Sequence, residues 1–396
     1  MTLPPSFRVV HAAENIKGGV GTYLRDLVVA QRASFGDGSV VVVVPRSQSD
    51  ILGSPAGVEI VTFDDAGPRW RSTLRLAACM HAVMARVEAS VVHLHSTFAG
   101  LALRPLLRWT SMSRGTRPVV IYCAHGWSFD REASLASRDL AMTLERALAP
   151  ACDAIVCISG HEMRLARRAG IPARRLAHIA NGIPLEPPAA ATTTRRPVWP
   201  SDKRRVLFVG RFDRQKGLDL LLQALHELRD CAFACLVGGA VLGDGALLQL
   251  PSNAQATGWL AGPELSAYYE TADVLVAPSR WEGFGLTAVE AMRAGLPVIA
   301  TRVGGLAEVV KHGVTGLLVE PNSSAALVEA IRGATAESLR SMGEAGRRRF
   351  VEHFTFDRVH AQLTALYQRL CAQKHAMSVD AARPALHAQP EGSPNA

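Results

Sequence analysis

Aromatic residues, long apolar runs and lysines are all scarce in this 396-residue sequence. Aromatic residues make up 6% of the chain and do not interleave with basic runs, so we expect no nucleic-acid partner. No apolar run approaches the roughly 18 residues that span a bilayer, and the N-terminus lacks the charged-then-apolar pattern of a secretory signal. These absences predict a cytoplasmic protein, and any contact with a membrane should be peripheral.

Cysteine is present in a pattern that fits neither a disulfide framework nor a zinc site. The seven cysteines are odd in number, and their spacing matches no zinc motif. Cys231 and Cys235 belong to an apolar run, which predicts buried free thiols. Free thiols are typical of a reducing compartment.

The basic residues are almost all arginine. Only five of the 43 basic residues are lysines, and the formal net charge is +8. Coding bias in a GC-rich genome is one explanation. Attraction to anionic partners, such as phosphate groups or acidic lipid headgroups, is the other. Composition alone leaves both open.

Short apolar runs alternate with longer helical patterns in both halves of the chain. In the first half the runs comprise residues 9–12, 39–45, 91–95, 119–123 and 154–158. In the second half they comprise residues 205–209, 233–237, 274–277, 298–300 and 316–319. Fully apolar strands separated by helices indicate a parallel sheet covered on both faces. The sequence therefore predicts an α/β protein with two Rossmann-like, doubly wound domains.

A proline-rich segment separates the two series of strands. Five prolines between residues 184 and 200 prevent regular structure and mark a linker. The predicted divisions are an N-terminal domain, a linker, a C-terminal domain, a final helix and a disordered tail. They cover residues 1–185, 186–204, 205–352, 353–373 and 374–396, respectively.

The strongest motif is a glycine-rich turn between an apolar run and a helix, at residues 279–292. A turn of this kind exposes backbone N–H groups at a helix N-terminus, where the helix dipole favours an anion. Glu282 precedes the helix and Glu290 lies within it, so two hydroxyl acceptors flank the anion site. A nucleotide-sugar has that shape, with ribose and hexose on either side of a diphosphate. The alternative is a plain turn with two surface carboxylates.

Three further motifs follow apolar runs. Arg211 and Lys216 lie where open sheets bind ligands, and both suit phosphate. The turn at residues 18–21 is glycine-rich but lacks the Gly-x-Gly-x-x-Gly pattern. His125 precedes a glycine directly after a strand. A solvated basic loop, a packing turn and a structural histidine are the corresponding alternatives.

In their order along the chain, these motifs resemble the family 4 glycosyltransferases, a retaining group with the GT-B fold of two domains facing across a cleft. The similarity runs from about residue 8 to 370 and is more specific in the second half. The matching pieces are residues 18–21, 125–126, 158–159, 181–183, 210–212, 216–217, 282–290, 304–308 and 313–318.

The resemblance implies a role for each matched position. Arg211 and Lys216 would hold the donor diphosphate, and Glu290 would bind the ribose hydroxyls. Glu282 would hold the transferred sugar. His125 would contact that sugar near the reacting carbon. The other implied donor-binding residues are Gly19, Gly283, Phe284, Gly285 and Leu286. The final helix would cross back onto the N-terminal domain.

The resemblance also implies a reaction. A hexosyl group would pass from a UDP- or GDP-sugar to a glycan acceptor, lipid-linked in many relatives, with retention of anomeric configuration. Exopolysaccharide or O-antigen assembly at the inner face of the membrane is the implied setting. No Asp-x-Asp sequence occurs, so we expect neither a metal ion nor any other cofactor. The negative charge that develops on the leaving group would be stabilised by Arg211, Lys216 and helix N-termini.

A membrane contact and three rival functions stay open. Residues 101–109 are apolar and basic, and Arg114 and Arg117 follow them; this stretch either rests on an anionic membrane or is ordinary solvated surface. A GT-B-shaped UDP-sugar epimerase would turn over donor without acceptor. A Rossmann dehydrogenase would need a different glycine pattern. A non-catalytic sugar-binding module would have lost residues such as Lys216 and Glu290, and both are present.

Overall fold

The computed structural model of the protein describes residues 6–112, 117–187, 197–239, 249–260 and 262–382. Arg114, most of the predicted linker (188–196) and the end of the predicted tail (383–396) lie outside these ranges.

The N-terminal half forms a parallel sheet in which the apolar runs are the central strands. The strand order is β3-β2-β1-β4-β5-β6-β7. Its strands are β1 (Val9–Ala13), β2 (Val40–Pro45), β3 (Val58–Phe63), β4 (Val91–His95), β5 (Val119–Cys123), β6 (Ala154–Cys157) and β7 (Leu176–His178). Neighbouring residues along a strand face opposite sides, so Val119 and Val120 belong to different apolar clusters. The sheet is therefore buried on both faces, as predicted.

The C-terminal half repeats this architecture with the order β10-β9-β8-β11-β12-β13. Its strands are β8 (Arg204–Val209), β9 (Ala232–Val237), β10 (Ala254–Gly258), β11 (Val274–Ala277), β12 (Val298–Thr301) and β13 (Gly316–Val319). All pairings are parallel. In each half the strand order reverses beside the first strand, at β1/β4 and at β8/β11. Open sheets bind ligands at the carboxyl ends of strands at such points.

Helices cover both sheets. The N-terminal half contains α1 (Gly19–Phe35), α2 (Arg69–Arg86), α3 (Thr97–Met112), α4 (Leu135–Leu148) and α5 (Gly160–Arg168). The C-terminal half contains α6 (Leu218–Glu227), α7 (Gly262–Thr271), α8 (Leu286–Arg293), α9 (Leu306–Val309), α10 (Ser324–Gly333) and α11 (Ala336–His353). A last helix, α12 (Phe356–Ala382), follows. Within the described ranges, no helix is long and apolar enough to cross a membrane.

Helix α12 returns to the N-terminal half, as the resemblance implies. The Tyr367 hydroxyl lies 2.8 Å from His93 Nδ1, and Lys374 Nζ lies 2.8 Å from Asp153 Oδ2. The predicted boundary at residue 373 is wrong, because the helix continues to Ala382. Residues 374–382 include alanine, methionine and lysine, which favour helix even without an apolar stripe.

One sequence prediction about burial is wrong and another feature is more buried than either of its interpretations requires. Cys231 is exposed, because it precedes β9 and only Cys235 lies within the strand. Residues 101–109, for which the sequence leaves membrane contact and solvated surface open, belong to helix α3, whose Leu103 and Arg104 are fully buried. Arg104 donates to Glu145 at 2.7 Å and lies over the Tyr122 ring, so its charge is neutralised inside the domain. The buried apolar residues of α3 therefore belong to the core of the domain. Trp109, near the end of the same helix, is instead highly exposed, at 78%.

Candidate functional site

The predicted site residues meet in a cleft between the carboxyl edges of the two sheets. A Cβ atom added to Gly19 would lie 3.0 Å from Leu286 Cδ1 on the opposite side. One added to Gly283 would lie 3.4 Å from the Gly126 Cα. The turns after β1 and β5 therefore face the loop that precedes α8, and small residues let the backbones approach closely.

The loop before α8 presents backbone N–H groups. Gly285 caps the helix in the left-handed region, with φ at 101°. Within the described ranges, the N–H groups of Gly283, Phe284 and Gly285 have no backbone acceptor. The loop is held from behind, because Gly305 N–H donates to the Glu282 carbonyl at 2.9 Å. These amides form the candidate anion site at the turn where the sequence predicts one.

Lys216 and Glu282 form an ion pair within the cleft. The Lys216 ammonium lies 2.5 Å from Glu282 Oε2, and the side chains are 17% and 14% exposed. Ser279 Oγ donates to the same carboxylate oxygen at 3.4 Å. The pair joins two motifs that the sequence treats separately. An anionic ligand could take the ammonium from Glu282, and the carboxylate would then be free to accept hydroxyl hydrogen bonds.

Arg211 is oriented by its own loop. Its guanidinium donates to Gln215 Oε1 at 2.5 Å and lies 3.2 Å from Asp213 Oδ2. Gln215 in turn donates to the Trp281 carbonyl at 3.2 Å, which ties the loop after β8 to the loop before α8. Arg131 approaches from the N-terminal half. Partial desolvation and repulsion from the Arg211 guanidinium lower the pKa of Arg131. Two positive charges therefore lie near each other at this point, an arrangement that suits an anion between them.

Glu290 accepts a hydrogen bond from the Tyr269 hydroxyl at 2.7 Å. Burial raises the pKa of Glu290, while Tyr269, Arg293 and Lys216 counteract that rise. The Glu290 carboxylate therefore has one fixed hydrogen-bond donor, Tyr269, and two positively charged side chains nearby. The partner Tyr269 carries no signal in the sequence, because it lies 21 residues away on α7.

His125 sits at the end of β5 in an uncommon backbone conformation. Its φ is 53°, a value that few residues other than glycine adopt and that often marks a functional site. Its Nε2 lies 2.9 Å from His95 Nδ1, and its ring meets Tyr23 edge-on with centroids 5.0 Å apart. Burial lowers the pKa of His125 to about 4, so the imidazole is neutral at physiological pH.

Comparisons with known proteins agree with this geometry. The family model "Glycosyltransferase Family 4" matches residues 17–187, and "Glycosyl transferases group 1" matches residues 191–349. A Klebsiella pneumoniae protein, described as an uncharacterized 41.2 kDa protein in cps region, is 31% identical over 342 residues. That match covers 86% of this chain and 93% of the relative. The chain belongs to the group 1, family 4 glycosyltransferases.

Characterised and solved proteins resemble this glycosyltransferase along most of its length. The D-inositol 3-phosphate glycosyltransferase of Xylanimonas cellulosilytica is 30% identical, over 72% of this chain and 73% of the relative. Sucrose-phosphate synthase from Thermosynechococcus elongatus superposes with a TM-score of 0.78 at 25% identity, covering 92% and 100% of the two chains. HepE from Anabaena, solved with UDP-glucose, gives 0.73 at 20% identity, covering 93% and 99%. The predicted GT-B fold is confirmed.

The glycosyltransferase has a buried acid beside the cleft that the sequence does not single out. Glu162 is 1% exposed, and its Oε2 accepts the Ile158 N–H at 2.9 Å. Its Oε1 lies 3.5 Å from the position that a Gly283 Cβ would occupy. Burial raises the pKa of Glu162 to about 7. A carboxyl that keeps its proton up to about pH 7 therefore lines the wall next to Gly126.

Two ion pairs join the halves of the glycosyltransferase across the cleft. Glu308 on α9 accepts from Arg164 at 2.8 Å and from the Gly160 N–H at 2.7 Å, and so caps α5 of the opposite half. Arg214 lies 2.6 Å from Glu132. These contacts connect the two halves on either side of the cleft.

A cavity of about 710 Å³ lies at the other end of the C-terminal sheet. Its lining includes Arg204 and Arg205. Arg205 is paired with Asp273 at 2.5 Å, and Arg204 donates to the carbonyls of Ile331 and Ala334. This cavity lies at the amino ends of the strands, whereas open sheets bind ligands at the carboxyl ends, so the cleft is the better candidate for the site.

Proposed function

We propose that this glycosyltransferase moves a hexosyl group from a UDP- or GDP-sugar to a glycan acceptor, with retention of anomeric configuration and without a metal ion. The observation that carries the proposal is the meeting of Lys216 and the open amides of residues 283–285 with the Gly19 turn. A diphosphate placed there has a cation on one side and N–H donors on the other. HepE, which has the same fold, binds UDP-glucose.

In this proposal the donor is recognised from both ends. Glu290 accepts the ribose hydroxyls, and Tyr269 keeps its carboxylate oriented. The diphosphate draws Lys216 away from Glu282, and Arg211 with Arg131 adds charge on the same side. Glu282 then accepts hydroxyls of the sugar. Binding of the diphosphate and orientation of the sugar are thereby coupled through one ion pair.

Transfer breaks the bond between the anomeric carbon and the diphosphate oxygen, and the acceptor oxygen bonds to that carbon on the same face. The acceptor proton passes to the departing diphosphate oxygen. Lys216, Arg211 and the α8 N-terminus stabilise the charge that develops on the leaving group. His125, neutral and adjacent in sequence to Gly126, which faces Gly283, contacts the sugar. These roles for His125, Arg211, Lys216 and Glu282 are proposals.

We further propose that the acceptor is a lipid-linked glycan of cell-envelope polysaccharide biosynthesis. The relative in a cps region supports the pathway. Exposed apolar side chains on α2 and α3 offer a peripheral contact with anionic lipid, since Trp70, Leu74 and Trp109 are 60%, 62% and 78% exposed. Arg71 lies over the Trp70 ring and adds positive charge. This surface keeps Trp109 from the segment 101–109 and adds Trp70 and Leu74 of α2.

The test is a panel of UDP-, GDP- and ADP-sugars, scored by thermal stabilisation and slow hydrolysis, followed by lipid-linked acceptors with and without EDTA. One donor should stabilise the protein, and the product linkage should keep the donor's anomeric configuration by NMR. Stabilisation by no sugar nucleotide would refute the proposal. Conversion of the donor without any acceptor would favour an epimerase, and activity that needs added magnesium would refute metal independence.

A further inference from the structure

Three histidines lie side by side in the core of the N-terminal half. His11 on β1 and His93 on β4 are paired in register, and His95 follows two residues later on the same face. All three are fully buried. The sequence analysis assigns none of them a role. Polar rings in a sheet interior are costly unless their nitrogens are hydrogen-bonded, so their partners matter.

The partners form a continuous chain that begins at the cleft. His125 Nε2 lies 2.9 Å from His95 Nδ1, and His95 Nε2 lies 3.0 Å from His11 Nδ1. We call these three residues the histidine chain. At its inner end, His11 Nε2 lies 2.7 Å from the Gln31 side-chain oxygen.

Helix α12 closes the network. Gln31 Nε2 donates to the Tyr367 hydroxyl at 3.3 Å, and that hydroxyl lies 2.8 Å from His93 Nδ1. Gln31 lies on α1 and is fully buried, as is Tyr367. The helix that returns from the C-terminal half thus fixes the amide that meets the histidine chain.

The chemistry of the end group sets the direction of every proton in the histidine chain. A neutral imidazole has one N–H and one lone pair. The Gln31 oxygen only accepts, so His11 Nε2 carries hydrogen and His11 Nδ1 accepts. His95 must then donate from Nε2 and accept at Nδ1, and His125 must donate from Nε2. Burial lowers the pKa of His11 to about 4, so a doubly protonated ring does not interrupt the series.

We propose that Gln31 and Tyr367 are positioning residues that hold His125 in a single neutral tautomer, with hydrogen on Nε2 and a lone pair on Nδ1. This inference rests on the proposed function, in which His125 contacts the transferred sugar. A ring with a fixed lone pair offers the sugar one defined acceptor for a hydroxyl. A ring that samples both tautomers presents this acceptor only part of the time. The loss of a correctly oriented group lowers turnover more than it lowers donor binding.

A metal ion is the competing interpretation of the same residues. One ring nitrogen from each of His11, His93 and His95 lies within 4.8 Å of the others. Among the described residues, however, only His93 Nε2 of their six ring nitrogens lacks a hydrogen-bond partner. A metal would need lone pairs that these hydrogen bonds already use. The hydrogen-bonded chain is therefore the better account.

The experiment reads the tautomer directly, by long-range ¹H–¹⁵N NMR on protein labelled at histidine, with His125→Asn used to assign the signal. Wild-type His125 should show hydrogen on Nε2 alone. Gln31→Met leaves His11 without its acceptor, so the two possible directions of hydrogen bonding along the histidine chain become similar in free energy. A mixture of His125 tautomers should then appear. Turnover should then fall about tenfold with the donor KM changed less than about twofold, as expected for a lost transition-state hydrogen bond.

Tyr367→Phe provides a milder second variant, and Tyr122→Phe is its matched control. Tyr122 is also a fully buried tyrosine of the N-terminal half, but its hydroxyl bonds Glu145 on the opposite face of the sheet. Tyr367→Phe should perturb the His125 signal, whereas Tyr122→Phe should leave tautomer and turnover unchanged even if the melting temperature falls.

Three results would overturn the inference: hydrogen on Nδ1 of wild-type His125, an unchanged His125 signal in both network variants, or one equivalent of tightly bound metal by elemental analysis. The NMR result does not depend on catalysis. A protein with the expected tautomer but no sugar transfer would therefore contradict the proposed function and leave the positioning network standing.

Discussion

The two halves share a fold but equip the cleft in different ways. The C-terminal half contributes charges that are paired with one another, as in Lys216 with Glu282. The N-terminal half contributes side chains that burial keeps neutral, including His125 and His11 of the histidine chain. The difference indicates a division of labour. In the proposed reaction, the C-terminal side supplies most of the charge that meets the anion, and the N-terminal side, Arg131 apart, orients a neutral reacting group.

The two sides of the cleft also differ in how closely neighbouring backbone atoms approach particular glycines. A Cβ on Gly304 would lie 1.9 Å from the Glu282 carbonyl oxygen, and one on Gly217 would lie 2.1 Å from that of Pro278. Both glycines have positive φ. Across the cleft, a Cβ on Gly19 would meet only the end of the Leu286 side chain. The donor side is therefore fixed by backbone against backbone at both glycines, whereas the facing turn has room at Gly19 but not at Gly21, where a Cβ would lie 2.2 Å from the Ile16 carbonyl oxygen.

The comparison is tested most severely at Lys216. Lys216→Met keeps the aliphatic stem but removes the cation, and kcat/KM for the donor should fall about 100-fold or more, equivalent to roughly 3 kcal/mol of charge stabilisation. Steady-state transfer kinetics provide the measurement. Lys311→Met makes the same change at an exposed lysine outside the cleft and should have no effect. Equal kinetics for the two variants would mean that the donor side does not act through charge.

The neutral character of the N-terminal side is tested at Glu162. Its pKa is about 7 in the folded protein against a reference of 4.5, so the protonated form is the one that folding favours. Its contribution to stability is complete below the unfolded pKa and is lost as pH rises through 7. Glu162→Gln cannot ionise. From pH 4.5 to 8, its free energy of unfolding should therefore rise by roughly 3 kcal/mol relative to wild type.

Denaturant titrations at several pH values would measure this gain. Ser159→Ala is a suitable control, because it removes the hydroxyl that caps the same helix at Glu162 N–H. That loss should cost about 1 kcal/mol at every pH. A Glu162→Gln difference that stays constant with pH would show that the carboxyl is already ionised in the folded protein.

The central strands were predictable because burial on both faces makes them continuous apolar runs. The runs at residues 119–123 and 274–277 match β5 and β11 to the residue. The strands that the sequence analysis does not predict, β3, β7 and β10, all lie at sheet edges. Edge strands are partly exposed, as the residues Ala254–Gly258 of β10 show, so their composition is mixed.

Glu290 offers a smaller and more specific effect on the donor side. Glu290→Gln replaces a carboxylate with an amide of the same size, which accepts ribose hydroxyls less strongly. The donor Kd should rise about tenfold, as expected for loss of a charged hydrogen-bond acceptor. Calorimetry with the donor would measure it. Tyr269→Phe, which only frees the carboxylate, should give about a threefold increase. Unchanged affinity in both variants would remove the ribose role.

The site was predictable where one motif carries it and not where distant segments meet. Glu282 and Lys216 each lie in a recognisable turn, so the sequence indicates both. Their ion pair, the Tyr269 contact with Glu290 and the approach of Arg131 depend on how separate elements pack. No local pattern records such contacts. His11 and His95, which continue inward from His125, were equally hidden, because they occupy ordinary strand positions.

The smallest expected effect is at Gly19, where an added methyl group would meet only the end of the Leu286 side chain. Its φ is not positive, so Gly19→Ala adds no backbone strain, and the Leu286 methyl 3.0 Å away can move. The melting temperature should hardly change, but a methyl group near the donor phosphate should raise the donor KM about three- to fivefold. Combining it with Leu286→Ala separates two causes. Recovery of KM in the double variant would assign the effect to contact with Leu286, whereas a persistent increase places the new methyl group against the donor itself. Gly304→Ala, by contrast, forces an alanine to φ of 46° against a carbonyl oxygen and should unfold the donor side. If Gly19→Ala were as destabilising as Gly304→Ala, both sides of the cleft would be equally rigid, and the contrast between the halves would fail.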